Sequence, residues 1–401
     1  MTLVLKFGGT SVANISRIRH VARVIVQKYL QKGERVAVVV SAMAGLTDQL
    51  SHYLQELNPK KVTLEDDVVL SSGEPITTAL LAIALTELGY PAQSFLGWQL
   101  PIVTNGYAQN ARILNISAGN LHACFDAGHV PIVAGFQGIT ETSRLTTLGR
   151  GGSDATTVAL AVILAAERCD IFTDVEGVYT ADPRIVPSAR KISTISYEEM
   201  LELAFCGTKV LQARSVELAM RHAVPLRVLS SFVDQEGTDI LKKELDMETF
   251  SVSGITSQEN IVKFDVACPV QENLVLADFL SANMPLDLLF QNQEATQQHL
   301  SFLVETGNAE KMTAQCDAFK AQKKIADFQV NYDVVKVSVV ALGMASRPEA
   351  MVAIFKSCAE NAIPLLALQT TPLRLSFITT KPNLELAIYA MHSLFEAYQR
   401  D

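Results

Sequence analysis

Lys6-Phe7-Gly8-Gly9-Thr10-Ser11 joins an apolar run, Leu3-Val4-Leu5, to a segment with helical periodicity. Paired glycines let backbone N–H groups come close to a ligand, the helix that follows adds its positive end, and Lys6 supplies a full charge. Together they read as a phosphate cradle. The spacing matches neither G-x-x-x-x-G-K followed by Ser or Thr nor G-x-G-x-x-G, so the P-loop and dinucleotide readings lose their support. Ser41-Ala42-Met43-Ala44-Gly45-Leu46-Thr47 is a second small-residue loop with hydroxyls. Ser71-Ser72-Gly73-Glu74-Pro75 places an acid at a glycine-marked helix start, where it is either an ordinary charge on the helix dipole or the partner of an ammonium group. Leu148-Gly149-Arg150-Gly151-Gly152-Ser153-Asp154 is the sharpest of these stretches. Three glycines before a helix make an anion site, and Arg150 offers a planar fork that takes a carboxylate through two hydrogen bonds. Asp154 is either a helix-start charge or part of that site. In Thr173-Asp174-Val175-Glu176-Gly177-Val178-Tyr179-Thr180-Ala181-Asp182-Pro183-Arg184, a tyrosine, two aspartates and an arginine can enclose an adenine, a ribose and a polyphosphate. A solvated loop is the bland alternative.

Each of these stretches falls where a strand should end. Residues 36–43, 130–138, 169–175 and 224–232 are short, rich in valine and isoleucine, and read as buried strands; 15–30, 76–89, 117–128 and 155–166 repeat apolar residues at three and four and read as helices. The alternation predicts an α/β domain with a mostly parallel open sheet in three αβα layers, and ligands gather beyond the carboxyl ends of such strands. A charged stretch over 233–250 reads as the exit from that domain. Beyond it two similar units, 261–291 and 334–369, each run strand, proline-containing loop, helix, strand, and are completed by strands at 299–305 and 373–379 and a helix. This predicts two ferredoxin-like βαββαβ modules.

A chain of 401 residues, 49% hydrophobic and 19% charged, buries a sizeable core in two or three domains. The net charge of −9 and the lack of a basic stripe argue against nucleic-acid and anionic-membrane partners. The longest apolar stretch, at 155–166, is shorter than a membrane span and the N-terminus lacks a signal-peptide plan, so the expectation is a cytoplasmic protein. Six cysteines, Cys124, Cys169, Cys206, Cys268, Cys316 and Cys358, show no C-x-x-C, which favours buried thiols over a zinc site.

With KFGGTS, SAMAGLT, SSGEPI, AGFQG, LGRGGSD, TDVEGVYTADPR and FCGTKVL in this order, at 6–11, 41–47, 71–76, 134–138, 148–154, 173–184 and 205–211, the chain resembles the aspartate kinases: an amino acid kinase fold followed by two ACT modules. The resemblance spans essentially the whole chain. It implies a catalytic domain over 1–245 and a regulatory region over 246–401, the first module about 259–333 and the second about 248–258 plus 334–401. It implies transfer of a phosphoryl group from ATP to the side-chain carboxylate of L-aspartate, the first step toward lysine, threonine and methionine by the diaminopimelate route. Lys6, Phe7, Gly8 and Gly9 would meet the phosphates, with Lys6 and Asp154 catalytic. Ser41, Thr47, Glu74, Phe136, Arg150, Gly151, Gly152 and Ser153 would form the aspartate pocket, Arg150 clamping the α-carboxylate and Glu74 pairing with the ammonium. Thr173, Asp174, Tyr179, Asp182, Arg184 and Lys209 would hold the nucleotide. Mg²⁺ would ride on the ATP phosphates rather than in a protein cage. An acetylglutamate or glutamate kinase shares the cradle, but an N-acylated substrate would leave Glu74 without a partner; a catalytically dead amino-acid sensor conflicts with intact Lys6, Arg150 and Asp154.

The ACT pair is expected to join two copies into a homodimer or higher even oligomer. Family members usually bind lysine or threonine at an Asp-x-Pro-Gly loop in these modules. Here the loops read Cys268-Pro269-Val270-Gln271 and Ser346-Arg347-Pro348-Glu349, lacking the acid, the glycine or both, while Gln291 and Asn292 are retained. The resemblance thus implies a preserved scaffold with a drifted ligand loop. Met247 stands where an internal start would yield a separate regulatory chain, though an ordinary linker methionine fits equally.

Overall fold

The computed structural model describes residues 2–57, 62–242, 252–269, 277–279, 286–293 and 297–398. The chain forms two compact units. The first comprises Met1–Tyr179, Lys191–Phe205 and Lys209–Met247; the second comprises Thr180–Arg190, Cys206–Thr208 and Glu248–Asp401. The division is therefore not the single cut near 245 that the sequence suggests. Thr180–Arg190 falls in the second unit because Ala181 and Val186 pack into its apolar core and the Thr180 carbonyl accepts the Ile255 N–H at 2.8 Å.

The first unit carries strands β1 (Thr2–Phe7), β2 (Arg35–Val40), β3 (Ala92–Phe95), β4 (Val103–Thr104), β5 (Ile113–Asn115), β6 (Val130–Ala134), β7 (Gln137–Ile139), β8 (Leu145–Thr147), β9 (Arg168–Thr173), β10 (Thr194–Ser196), β11 (Leu226–Ser230) and β12 (Thr238–Leu241). Its helices are α1 (Ile15–Lys28), α2 (Leu46–Leu57), α3 (Leu64–Leu70), α4 (Gly73–Glu87), α5 (Gly119–Asp126), α6 (Gly152–Ile163), α7 (Tyr197–Phe205) and α8 (Ala213–His222). Eight strands form one sheet in the order β10-β12-β11-β9-β1-β2-β6-β3, parallel except between β11 and β12. A small second sheet, β5-β4-β7-β8, takes the end of the apolar run 130–138, which breaks after Ala134 instead of continuing as one strand. The stretch read as a domain exit contains β12, and residues 243–250, with Met247, lie outside the described residues.

Strand β1 is central, and the chain winds away from it in both directions, so the switch point of the sheet lies at its carboxyl end. Leu3, Leu5 and Phe7 face α1 and α4, meeting Ile18, Val21, Ile25, Leu81 and Leu85. Alternation sends Val4 and Lys6 to the other face, where α6 packs. Helix α6 is buried from Gly152 through Ala161, which explains its long apolar run: it is a core helix, covered on every side. The stretch Leu64–Glu87 is long and apolar enough to cross a membrane by length and composition, and more than half of its apolar window is buried inside the protein. All six cysteines are buried.

The second unit holds two four-stranded antiparallel sheets. Strands β14 (Ile261–Pro269), β15 (Asp287–Gln293), β16 (Gln297–Glu305) and β17 (Asp327–Asn331) pair in the order β15-β16-β14-β17, with α9 (Ala309–Ala321). Strand β13 (Val252–Gln258) joins β18 (Val335–Ala341), β19 (Ala367–Thr371) and β20 (Arg374–Thr379) in the order β13-β18-β20-β19, with α10 (Pro348–Glu360) and α11 (Leu384–Tyr398). A strand that precedes the first module in sequence thus closes the second. Ile261, Leu288 and Leu303 pack with Val334 and Ile378 between the sheets, and buried Lys336 pairs with Asp287 beside them. In the second loop Pro348 opens α10 and Arg347 Nη1 lies 3.6 Å from Glu349 Oε1. Of the first loop only Cys268 and Pro269 are described; Val270 and Gln271 lie outside the described residues.

Candidate functional site

Lys6 leaves the end of β1 on the α6 face, and its Nζ stands 2.6 Å from Asp154 Oδ1 in the first turn of α6. Both side chains are nearly buried, so the pair has little water to screen it. Gly8 and Gly9 follow, tied to neighbouring strand ends by Gly8 N–H to Phe172 O (3.2 Å) and Ala44 N–H to Gly9 O (3.2 Å). A Cβ on Gly9 would stand 2.9 Å from the Ala42 carbonyl oxygen, so only glycine lets the 41–47 loop lie against the cradle. One expectation changes here. A 3₁₀ turn, Gly9–Val12, follows the glycines, and α1 begins only at Ile15 with its Arg17 N–H already taken by the Asn14 side chain. The helix end nearest Lys6 is that of α6.

Glu74 stands in the first turn of α4, 2% exposed. Its Oε1 accepts the Ala42 N–H at 3.2 Å, and its Oε2 has no hydrogen-bond partner among the described residues. Burial pushes its carboxyl up from 4.5 to about 7, against the pull of the Glu74 and Ala42 N–H groups. A buried acid with one oxygen unsatisfied is poised for a cation. Because the native group holds a proton that the unfolded chain has released between pH 4.5 and about 7, stability falls as pH rises through that window. Glu74→Gln is therefore expected to raise Tm at pH 8 and to leave it nearly unchanged at pH 4.5. Equal shifts at both values would show that the carboxylate is not desolvated.

Ser41 Oγ donates to Ser153 Oγ at 3.0 Å, which ties the second loop to the start of α6. Phe136 has φ +69, a rare conformation for a bulky residue, and its Cδ2 would stand 2.9 Å from a Cβ on Gly152. Gly135 lies as tightly against Ser153, 2.6 Å from its Oγ to the position of a Cβ. Thr47 sits in the first turn of α2. The structure thus brings Lys6, Ser41, Glu74, Phe136, Gly152, Ser153 and Asp154 into one cluster of linked loops.

Arg150 is exposed, between Gly149 (φ +75) and Gly151 (φ +70). Its loop is held from behind by residues that no sequence motif singles out. Arg214 of α8 donates to Leu148 O at 2.6 Å and Ala111 O at 2.8 Å, and burial lowers its guanidinium to about 10. Asp67 of α3, fully buried, accepts from Thr147 Oγ1 (2.7 Å) and Gln109 N–H (2.9 Å), and burial raises its carboxyl. Their partners lie 42 to 103 residues away in sequence, beyond any local signal.

On the other side of β1, Thr173 ends β9 and its Oγ1 donates to Asp174 Oδ1 at 3.1 Å. Tyr179 OH donates to Glu176 Oε2 at 3.2 Å, and Lys209 is exposed. Asp182 and Arg184 belong to the second unit, where they pair with each other at 2.6 Å. Among the described residues no group of three or more His, Cys, Asp or Glu stands together as a metal cage.

Residues 1–230 match the amino acid kinase family. An aspartokinase of Rickettsia felis is 39% identical over 98% of this chain and 99% of its own length. One of Geobacillus stearothermophilus is 40% identical over 98% and 97%. In three dimensions the chain resembles Escherichia coli aspartokinase III in complex with aspartate and ADP, with a TM-score of 0.82 over 99% of this chain and 100% of that one at 23% identity.

Proposed function

The chain belongs to the amino acid kinase family and, matched end to end, to its aspartokinases, and from that premise we propose how its residues phosphorylate L-aspartate. The reaction moves the γ-phosphoryl group of ATP to the side-chain carboxylate, giving ADP and 4-phospho-L-aspartate, the first step toward lysine, threonine and methionine. The acceptor is ionised at neutral pH, so no strong base is needed and catalysis is positioning and charge neutralisation. The observation that carries the site reading is the charge layout. A lysine paired with an acid lies at the switch point, an exposed arginine stands on the loop before α6, and a buried acid in the first turn of α4 holds the loop after β2. Arg150 takes the α-carboxylate and Glu74 the ammonium, a match to a zwitterion. Ser41, Thr47, Phe136 and Ser153 shape the pocket between them.

Lys6, Gly8 and Gly9 meet the phosphates. Asp154 holds Lys6 in place, and Thr173, Asp174, Tyr179 and Lys209 face the nucleotide, with Asp182 and Arg184 completing the motif. Mg²⁺ fits this donor set as an ion carried mainly by phosphate oxygens, with Asp154 the acid beside them, where it would neutralise charge on the phosphoryl group. Release of ADP, followed in a coupled assay with aspartate, N-acetylglutamate and glutamate in turn, tests the reading. Turnover confined to aspartate is expected, and turnover with N-acetylglutamate alone would overturn it. Because an ammonium needs an ionised Glu74, KM for aspartate is expected to fall as pH rises through about 7, and this step should vanish in Glu74→Gln.

The second unit is read as a scaffold that joins copies into a homodimer or higher even oligomer, and sedimentation of the whole chain as a monomer would contradict this. With glutamate at position 349, where the effector loop of relatives has glycine, lysine and threonine are expected to inhibit weakly or not at all. Titration of each into the assay decides this, and sub-millimolar inhibition by either would sink it.

A further inference from the structure

The loop after β11 is used by none of the motifs, yet it touches both nucleotide-side loops. Ser231, 3% exposed, donates from Oγ to the Thr173 carbonyl oxygen at 3.0 Å, and its N–H donates to the same oxygen at 2.9 Å. The Ser231 Oγ also lies 2.8 Å from Ser11 Oγ, 220 residues away and 1% exposed. A hydroxyl has one proton, and that of Ser231 is committed to Thr173, so Ser11 is the donor of the second bond. The result is a directed relay: Ser11 O–H to Ser231 Oγ, and Ser231 O–H to Thr173 O. Helix α1 clasps the relay from outside. His20 Nε2 lies 2.9 Å from the Ser231 carbonyl oxygen, which can only accept, so Nε2 carries the proton. The Arg17 guanidinium lies 4.1 Å over the Phe232 ring.

His20 and Ser231 line a cleft of about 940 Å³ that also takes in Val24 and Lys28 of α1 and Tyr29 just after it. Leu229 places this part of β11 on the α1 face, with Leu5 and Phe7. Lys6 points to the opposite face, so Ser231 does not touch the reacting groups.

We propose that Ser231 is a positioning residue for phosphoryl transfer: its hydroxyl holds the turn after the phosphate cradle and the first residue of the nucleotide loop at a set spacing. This rests on reading 6–11 and 173–174 as the nucleotide-side loops. A shift of about 1 Å between groups that grip one substrate is enough to cost up to two orders of magnitude in rate. Ser231→Ala is expected to raise KM for ATP about tenfold and lower kcat about tenfold, while KM for aspartate stays within twofold. Ser231→Thr, which keeps the hydroxyl, is expected to recover most of the loss. Ser11→Ala removes only the donor end, and it keeps the test alive if Ser231→Ala does not fold. In the double variant the effects should not add, because the Ser11 hydroxyl acts through Ser231.

A change in Tm with kcat and KM for ATP unaltered in both single variants would overturn the proposal, as would equal rises in both KM values. Lys6→Ala is measured in parallel. If it lowers kcat while Ser231→Ala and Ser11→Ala do nothing, the relay alone falls; if Lys6→Ala is also silent, the assignment of the loops falls and the relay with it.

Discussion

Lys6→Ala is expected to lower kcat by about two to three orders of magnitude while both KM values stay within a few-fold. Lys6 is carried by the central strand of the sheet, its neighbours Leu5 and Phe7 are fully buried, and its ammonium is held 2.6 Å from Asp154. It therefore enters the reaction already oriented. As the phosphoryl group leaves ADP for the aspartate carboxylate, charge shifts onto the bridging and equatorial oxygens, and a fixed cation near them stabilises the transition state more than the bound substrates. That difference is what kcat reads. A rise in KM for ATP with kcat unchanged would make Lys6 a binding group only, and an unchanged turnover number would remove it from the mechanism.

Arg150→Ala is expected to act on the other substrate. Loss of a two-pronged contact to a carboxylate costs about 2–4 kcal/mol, which is a rise of roughly thirty-fold to a thousand-fold in KM for aspartate. The structure supports such a contact because the backbone that carries the arginine is already set. Gly149 and Gly151 set the loop in left-handed backbone, and Arg214 and Asp67 brace Leu148 and Thr147, the residues that lead into it. KM for ATP is expected to change little. A KM for aspartate within a few-fold of the parent, measured at saturating ATP, would show that the fork faces something else.

Much of the fold was legible in the chain because its signals are local. Valine-rich runs at 36–40 and 130–134 mark strands buried on both faces. The threefold and fourfold apolar spacing at 15–28 marks a one-sided helix, and the glycines at 149 and 151 mark a backbone that must turn sharply. The motif order also named the residues that now stand together around Lys6. Errors arose where a local pattern was cut by distant contacts. The run 130–138 reads as one strand, but Gly135 must lie against Ser153 and Phe136 must take positive φ, so the chain leaves the large sheet at Ala134.

By itself the sequence determined which residues are able to do chemistry and that they fall at strand ends, since residue type, strand periodicity and turn chemistry reach only a few positions along the chain. Tertiary structure decided what those residues experience. Glu74 reads either as a charge on the helix dipole or as an ammonium partner until α4 is packed, and only burial raises its carboxyl to about 7. Asp154 reads as a helix-start charge or part of an anion site, and only the packing of α6 against β1 brings it to Lys6. The segment 180–190 reads as part of the first domain until Ala181 and Val186 find the apolar core of the second unit. Ser231 reads as nothing, because its partners, Ser11 and Thr173, are 220 and 58 residues away. Desolvation, pairing and hydrogen-bond relays depend on distances between remote segments, and those exist only once the sheet has assembled.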